Sequence, residues 1–385
     1  MRVTGPWLTA PTTQAVMAML TTAGHDALAV GGCVRNALLG VAVSDIDIAT
    51  DARPERVMDL ARDAGMYPVP TGIDHGTITV VADGIPHEVT TFRHDVETDG
   101  RHAVVTFTDD VAEDAARRDF TMNALYARAD GTVVDPLGGF GDLRARHLRF
   151  IGDPDARIAE DYLRILRFFR FTAWYGDPAL GIDADGLAAC AAGAEGLDRI
   201  SAERIGQEMR KLLAARDPAP AVAAMAQAGV LARVLPGGDV TALGPLVHLG
   251  VSDWVVRLAA LGGQVDRLRL SKSDAKRLAH VSQTARDTLA PFAVGDVMGP
   301  DGQDTLRLRA ALIGTPPTTA DLDLARRGAE ARFPLVAKDL MPEITGPDLG
   351  LALARARAAW RAADGGMDRA QLVAIARNAP SSTDT

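Results

Sequence analysis

Cysteine is nearly absent from this chain: two in 385 residues, Cys33 and Cys190, far apart and without metal-type spacing. That excludes a disulfide scaffold and a structural zinc site, and nothing calls for an oxidising compartment. Aromatic residues are sparse at 5%, and lysine numbers four against 37 arginines. No apolar run reaches the roughly 18 residues that a membrane-spanning helix needs. The opening MRVTGPWLTAPTTQ lacks the basic-then-apolar layout of a secretory signal. The expectation is a cytoplasmic protein without a membrane partner.

What is present is core material. The chain is 47% hydrophobic and 24% charged, a globular composition, and its length predicts two or three domains. The net charge of -9 argues against a blanket nucleic-acid binder, but the charge is unevenly placed. Residues 1–140 hold 20 acidic and 10 basic side chains; residues 141–385 hold 30 and 31. A carboxylate cluster in the first third could hold cations, leaving the remainder free to present basic patches to a polyanion. A solvated acidic surface is the plainer alternative.

The first 140 residues mix helix and strand signals. Residues 12–23 and 33–39 read as helices ending at Gly24 and Gly40, with the apolar run 27–30 between them. Residues 45–49 (DIDIA) alternate as a strand does. Pro54 marks a helix start for 54–64. Residues 76–82 and 85–91 are β-branched runs around Asp83-Gly84, a hairpin signal. The polar stretch 93–110 has no clear period and reads as a flexible loop. From about 155 the spacing predicts helices over 155–175, 201–215, 219–233, 251–261, 272–290, 304–313, 319–331 and 349–363, with no strand alternation. The closing NAPSSTDT reads as a frayed polar tail.

Several groups carry chemistry. Asp45 and Asp47, two apart on a strand, share a face. Such a pair repels unless a cation sits between, and a hard divalent ion such as Mg²⁺ prefers oxygen ligands. Glu88, in the second strand of the hairpin, is a candidate third ligand, or a solvent-facing carboxylate. Gly31-Gly32 separates a short strand from a helix whose first turn carries Arg35. Backbone N–H groups, the helix N-terminus and a guanidinium there suit a phosphate; a plain tight turn is the alternative. In RRDFTMNAL (117–125), Arg118 with Asp119 and Asn123 forms a candidate phosphate and sugar clamp. In EDYLRILRFFR (160–170), Asp161 and Arg164 stand three apart on a helix, and Arg167 and Arg170 continue the line. This is either a helix salt bridge or an anion-binding face.

Taken in order, VGGCVRNALLG (30–40), DID (45–47), PTGIDHGTITV (70–80), HEVTTFR (87–93), EDAARRDFTMNALY (113–126), DPLGGFGDL (135–143) and EDYLRILRFFRF (160–171) resemble the class II tRNA nucleotidyltransferase and bacterial poly(A) polymerase family. The likeness is nearly continuous from about 25 to 215, and weaker at 268–280 and 342–350. It implies an α+β fold: a polymerase-β-like head with a small mixed sheet (1–140), then an all-helical neck (141–215), body (216–290) and RNA-binding tail (291–385). It implies Mg²⁺ on Asp45 and Asp47, to which Glu88 is the candidate third ligand, and a triphosphate on Gly32 and Arg35. Arg118, Asp119 and Asn123 would hold the nucleotide. Asp161 and Arg164 would act as an amino-acid template for the base, with Arg167 and Arg170 lining the site. Three departures stand out. Asn36 replaces the aspartate usual after Val-Arg, Tyr162 replaces a common proline, and the tail near 345–350 is shortened.

The implied reaction is transfer of CMP and AMP from CTP and ATP to the 3′ end of tRNA, with no obligate protein partner. An ionised Asp161 only accepts and Arg164 only donates. C and A match that pattern; U and G set acceptor against carboxylate and donor against guanidinium. Each buried mismatch costs about 1–3 kcal/mol, so two favour C and A by about two to three orders of magnitude or more. The alternatives are a poly(A) polymerase, an enzyme adding only CC or only A, and a catalytically dead RNA-binding homologue. The acidic pI of 5.4 weighs against the poly(A) reading, the retained 93–110 segment against CC-only addition, and intact Asp45 and Asp47 against the third.

Overall fold

The computed structural model describes residues 1–99 and 102–378. Contacts divide the chain into two units, Met1–Val234 and Leu235–Thr385. The first begins with two proline-started helices, α1 (Pro6–Thr9) and α2 (Pro11–Thr22), where proline's fixed φ and missing N–H suit the first turn. There follow β1 (Leu28–Val30), α3 (Gly32–Leu38), β2 (Asp47–Thr50), α4 (Pro54–Asp63), β3 (Tyr67–Gly72), β4 (Thr77–Ala82) and β5 (Ile85–Thr91). Asp83 and Gly84 carry φ of 48° and 79°, the positive values a two-residue hairpin turn demands. Next come β6 (Arg93–Asp99), β7 (His102–Phe107), α5 (Val111–Ala116), β8 (Tyr126–Ala127) and β9 (Val133–Val134).

Among the described residues one mixed sheet has the order β3-β4-β5-β2-β1-β8-β9. Its neighbours run antiparallel except β2 and β5, which are parallel and pair Asp47 with Glu88. The helices of this unit continue as α6 (Gly139–Ala145), α7 (Pro154–Glu160), α8 (Leu163–Tyr175), α9 (Ala184–Ala192), α10 (Ala202–Leu213), α11 (Ala219–Gln227) and α12 (Val230–Val234). Phe120, Phe150 and Phe168 lock α8 to the segment after α5, with Phe120–Phe150 centroids 4.9 Å and Phe150–Phe168 centroids 5.4 Å apart. Offset and tilted aromatic contacts of this kind add to burial.

The second unit is helical: α13 (Leu243–His248), α14 (Trp254–Leu261), α15 (Lys272–Arg286), α16 (Pro291–Met298), α17 (Gly302–Ile313), α18 (Thr319–Glu330), α19 (Gly346–Ala362) and α20 (Arg369–Arg377). α16 and α18 approach closely because Gly295 and Gly328 have no side chain: a Cβ on Gly295 would stand 1.9 Å from the Ala325 carbonyl oxygen. No helix among the described residues is long and apolar enough to cross a membrane.

Four expectations change. The helix expected over 219–233 is two, Ala219–Gln227 and Val230–Val234, parted at Gly229, whose φ is 72°. The DIDIA strand begins only at Asp47, because backbone pairing with β5 starts there; Asp45 lies in the coil before it. Residues 93–110 are not simply a loop. Arg93–Asp99 and His102–Phe107 pair as a two-stranded sheet, whose first strand is almost wholly polar and shows no apolar alternation; Gly100 and Arg101 lie outside the described residues. The helix expected over 155–175 breaks at Asp161, whose φ of -153° leaves helical space. The polar tail from 379 lies outside the described residues.

Candidate active site

Parallel pairing puts Asp47 and Glu88 on the same face of the sheet. Glu88 faces out while its neighbours His87 and Val89 are buried. Burial, then repulsion from Glu88 and Asp45, pushes the Asp47 carboxyl above its ordinary value, and the Arg118 charge opposes the rise. Asp47 is therefore near enough to Asp45 and Glu88 to feel both charges. Asp45 is exposed and accepts a hydrogen bond from Ser44 Oγ at 3.0 Å. No group of three such side chains among the described residues is spaced to enclose an ion. The donor set nevertheless suits a hard divalent metal ion, being all oxygen and mutually repulsive. Cys33 lies beside it as an inert thiol, pushed up to about 11 by burial and the Asp47 charge.

β1 ends in Gly31, whose φ of 71° and ψ of -118° only glycine adopts readily. A Cβ there would meet Arg118 Nη1 at 3.5 Å, and one on Gly32 would meet Arg35 Nη2 at 3.7 Å. Two guanidinium groups thus flank the glycine turn at the start of α3.

Each is held by a network. Arg118 donates from Nε to the Tyr126 hydroxyl at 3.1 Å and from Nη2 to Asp114 at 3.0 Å. Asp114 is 1% exposed and also takes Arg117 and Tyr126; these partners override burial and hold its carboxyl below the ordinary value. Arg35 donates to Asn123 Oδ1, Asn36 Oδ1 and the Tyr175 hydroxyl. Asn123 donates in turn to Asp119 at 2.9 Å, and Asp119 also accepts from Arg167. Arg35, Arg167 and Arg170 all stand over the Phe171 ring, at 5.1, 5.2 and 4.3 Å from its centroid. Arg170 is paired with buried Glu208 of α10.

Asp161 and Arg164 do not pair with each other. Asp161 sits at the break between α7 and α8, accepting from Leu163 N at 3.0 Å and from Arg204 Nη2 of α10 at 2.6 Å. Arg164 donates to Glu160, to the Arg157 carbonyl at 2.7 Å and to the Arg117 carbonyl at 3.3 Å. Each member is therefore held by a third residue. Asp114, Tyr126, Glu160, Tyr175, Arg204 and Glu208 complete the site and escaped the sequence reading. Asp114, four before Arg118 on a helix, carried a local signal; Arg204 and Glu208 carried none, being some 40 residues from their partners.

The family model described as the poly A polymerase head domain matches residues 27–149, and the one described as a probable RNA and SrmB-binding site of polymerase A matches 180–240. The chain is 45% identical over 190 residues to the mitochondrial CCA tRNA nucleotidyltransferase 1 of Mus musculus, covering 49% of this chain but only 44% of that relative. It is 34% identical over 357 residues to the Danio rerio protein of the same name, covering 86% and 82%. Among solved structures it resembles the Bacillus stearothermophilus CCA-adding enzyme in complex with CTP, with TM-score 0.72, 29% identity and 92% of both chains covered. With a mixed-sheet head, a helical remainder and a near full-length match, the chain belongs to the CCA tRNA nucleotidyltransferase family, whose bacterial members are called CCA-adding enzymes.

Proposed function

We propose that this protein adds and repairs the CCA end of tRNA, transferring CMP and AMP from CTP and ATP without a nucleic-acid template. The observation that carries this reading is the placing of Asp47 and Glu88 on one sheet face, within electrostatic reach of Arg118, which with Arg35 flanks a glycine turn. One side suits cations and the attacking 3′-hydroxyl; the other suits a triphosphate. Asp45, Asp47 and Glu88 would hold Mg²⁺, which when bound lowers the pKa of the hydroxyl and neutralises phosphate charge. The chain's own residues do the rest. The N–H groups at Gly31 and Gly32 and the guanidiniums of Arg35 and Arg118 bind and orient the phosphates and spread charge that develops on the leaving pyrophosphate. Asp119 and Asn123 hold Arg167 and Arg35 in place.

In this reading Asp161 and Arg164 select the base. A carboxylate has about four acceptor positions, and Asp161 uses two, for Leu163 N and Arg204, leaving room for the amino group of C or A. Residues 1–140 form the catalytic head, 141–215 the neck with the selecting residues, 216–290 the body and 291–385 the tail that holds RNA. The two thiols are free and buried, which accords with the reducing cytoplasm.

Incubating the protein with Mg²⁺ and tRNA lacking its CCA end, with each labelled NTP singly and with labelled ATP alongside CTP, tests the reading. Incorporation of C, and of A once two C residues are in place, is expected. Long tails of A would support a poly(A) polymerase instead, and no incorporation would support an RNA-binding homologue.

A further inference from the structure

Arg35 is buried, only 7% exposed. A buried guanidinium ordinarily needs a carboxylate, yet among the described residues Arg35 forms no ion pair. Its acceptors are neutral: Asn36 Oδ1 at 3.2 Å from Nε and 3.0 Å from Nη2, the Tyr175 hydroxyl at 2.8 Å from Nη2, and Asn123 Oδ1 at Nη1. These use four of the five N–H groups of a guanidinium and leave one on Nη1. Below the plane lies the Tyr175 ring, 4.1 Å from the Arg35 carbon Cζ. A ring face attracts a cation without cancelling its charge. Burial, with the Arg170 charge, draws the Arg35 pKa down, while Tyr175 and then the Asp119 carboxylate pull the other way.

Asn36 supplies two of these contacts through one amide oxygen. An aspartate in the present place of the amide oxygen would pair with Nε and Nη2 and neutralise the guanidinium that faces the glycine turn. The Asn36 amide keeps the geometry, donating to the Ala42 carbonyl at 3.1 Å, and leaves the charge.

We infer that Tyr175 is a positioning residue for triphosphate binding: with Asn36 it forms a neutral cradle that holds Arg35 beside the Gly31-Gly32 turn with its charge intact. This rests on the transfer reading above. The cradle acts on the phosphates, so its effect is the same for both nucleotides and independent of base.

The test uses the full chain and two readouts. The first is calorimetric binding of inorganic tripolyphosphate without RNA; the second is the KM and kcat for CTP and ATP on tRNA. Tyr175→Leu removes ring and hydroxyl, and weakens tripolyphosphate binding and raises both KM values by about tenfold, with kcat changed less than about twofold and the C-to-U incorporation ratio unmoved. Tyr175→Phe keeps the ring and recovers most of the loss. Asn36→Asp raises both KM values in the same direction with no loss of thermal stability. The proposal is overturned if Tyr175→Leu binds tripolyphosphate as the wild type does, if kcat falls while both KM values hold, or if Asn36→Asp leaves both KM values unchanged. Should Tyr175→Leu not fold, Asn36→Asp decides alone. Wild-type protein that binds tripolyphosphate but transfers no nucleotide refutes the transfer reading and not this one.

Discussion

Asp119 is the joint of the network, and Asp119→Asn tests it. Its carboxylate is 8% exposed, and its acceptor positions are filled by Phe120 N at 2.9 Å, Asn123 Nδ2 at 2.9 Å, Arg167 Nε at 2.7 Å and Arg167 Nη2. Burial alone would raise its pKa; the Arg167 charge and these hydrogen bonds outweigh burial and hold it at about 2, against an ordinary 3.8. That depression corresponds to about 2 kcal/mol of folding stability. The amide keeps the size and loses the charge, so this is the amount at stake at neutral pH. For a unit of this size it amounts to a fall in melting temperature of about 4–8 °C. The sign follows from the depressed pKa: the stabilisation is fully present above the unfolded value near 4 and is lost as pH falls toward 2. About half of it is gone by pH 3. Melting of wild type and Asp119→Asn is therefore compared from pH 7 down to pH 3. A gap that is absent at pH 7, or that stays constant to pH 3, would falsify the assignment.

Other variants separate chemistry from recognition. Asp45→Ala and Asp47→Ala abolish nucleotide addition with no loss of melting temperature; more than a few per cent residual activity in Mg²⁺ contradicts the carboxylate assignment. Glu88→Ala is severely impaired and Glu88→Gln somewhat less so, and normal turnover of both would leave Glu88 a solvent-facing residue. Arg118→Ala weakens all nucleotides about equally, because phosphate contacts do not report base identity. Asp161→Ala, and through it Arg204→Ala, lowers C and A and relatively raises U or G in four-way competition. An unchanged C-to-U ratio in both would move base selection elsewhere.

Much of the head was legible because its signals are local. Asp83-Gly84 fixes a turn by its own φ values, and the glycine pair before Arg35 marks a strand-to-helix junction within six residues. What stayed hidden depends on distant partners. The strand period runs through Asp45 and Asp47 alike, but the strand begins where β5 supplies hydrogen bonds, and that lies outside any local window. The apolar spacing of 155–175 likewise runs unbroken across Asp161. The break there is stabilised by the hydrogen bond that the Asp161 side chain accepts from Leu163 N and by Arg204, which arrives from α10. The same cause made Asp161 and Arg164 look like a helix pair when each in fact answers to another residue. β6 was hidden differently, since its sequence RHDVETD is almost wholly polar and shows no apolar alternation.

The most direct measurement is the sequence of 3′ ends produced on tRNA primers ending before CCA, before CA and before A. Wild-type protein with CTP and ATP should complete each primer to CCA and stop, and Asp47→Ala should leave all three unextended. Ends that grow as runs of A, halt after CC with ATP present, or remain unextended by the wild type would contradict the account.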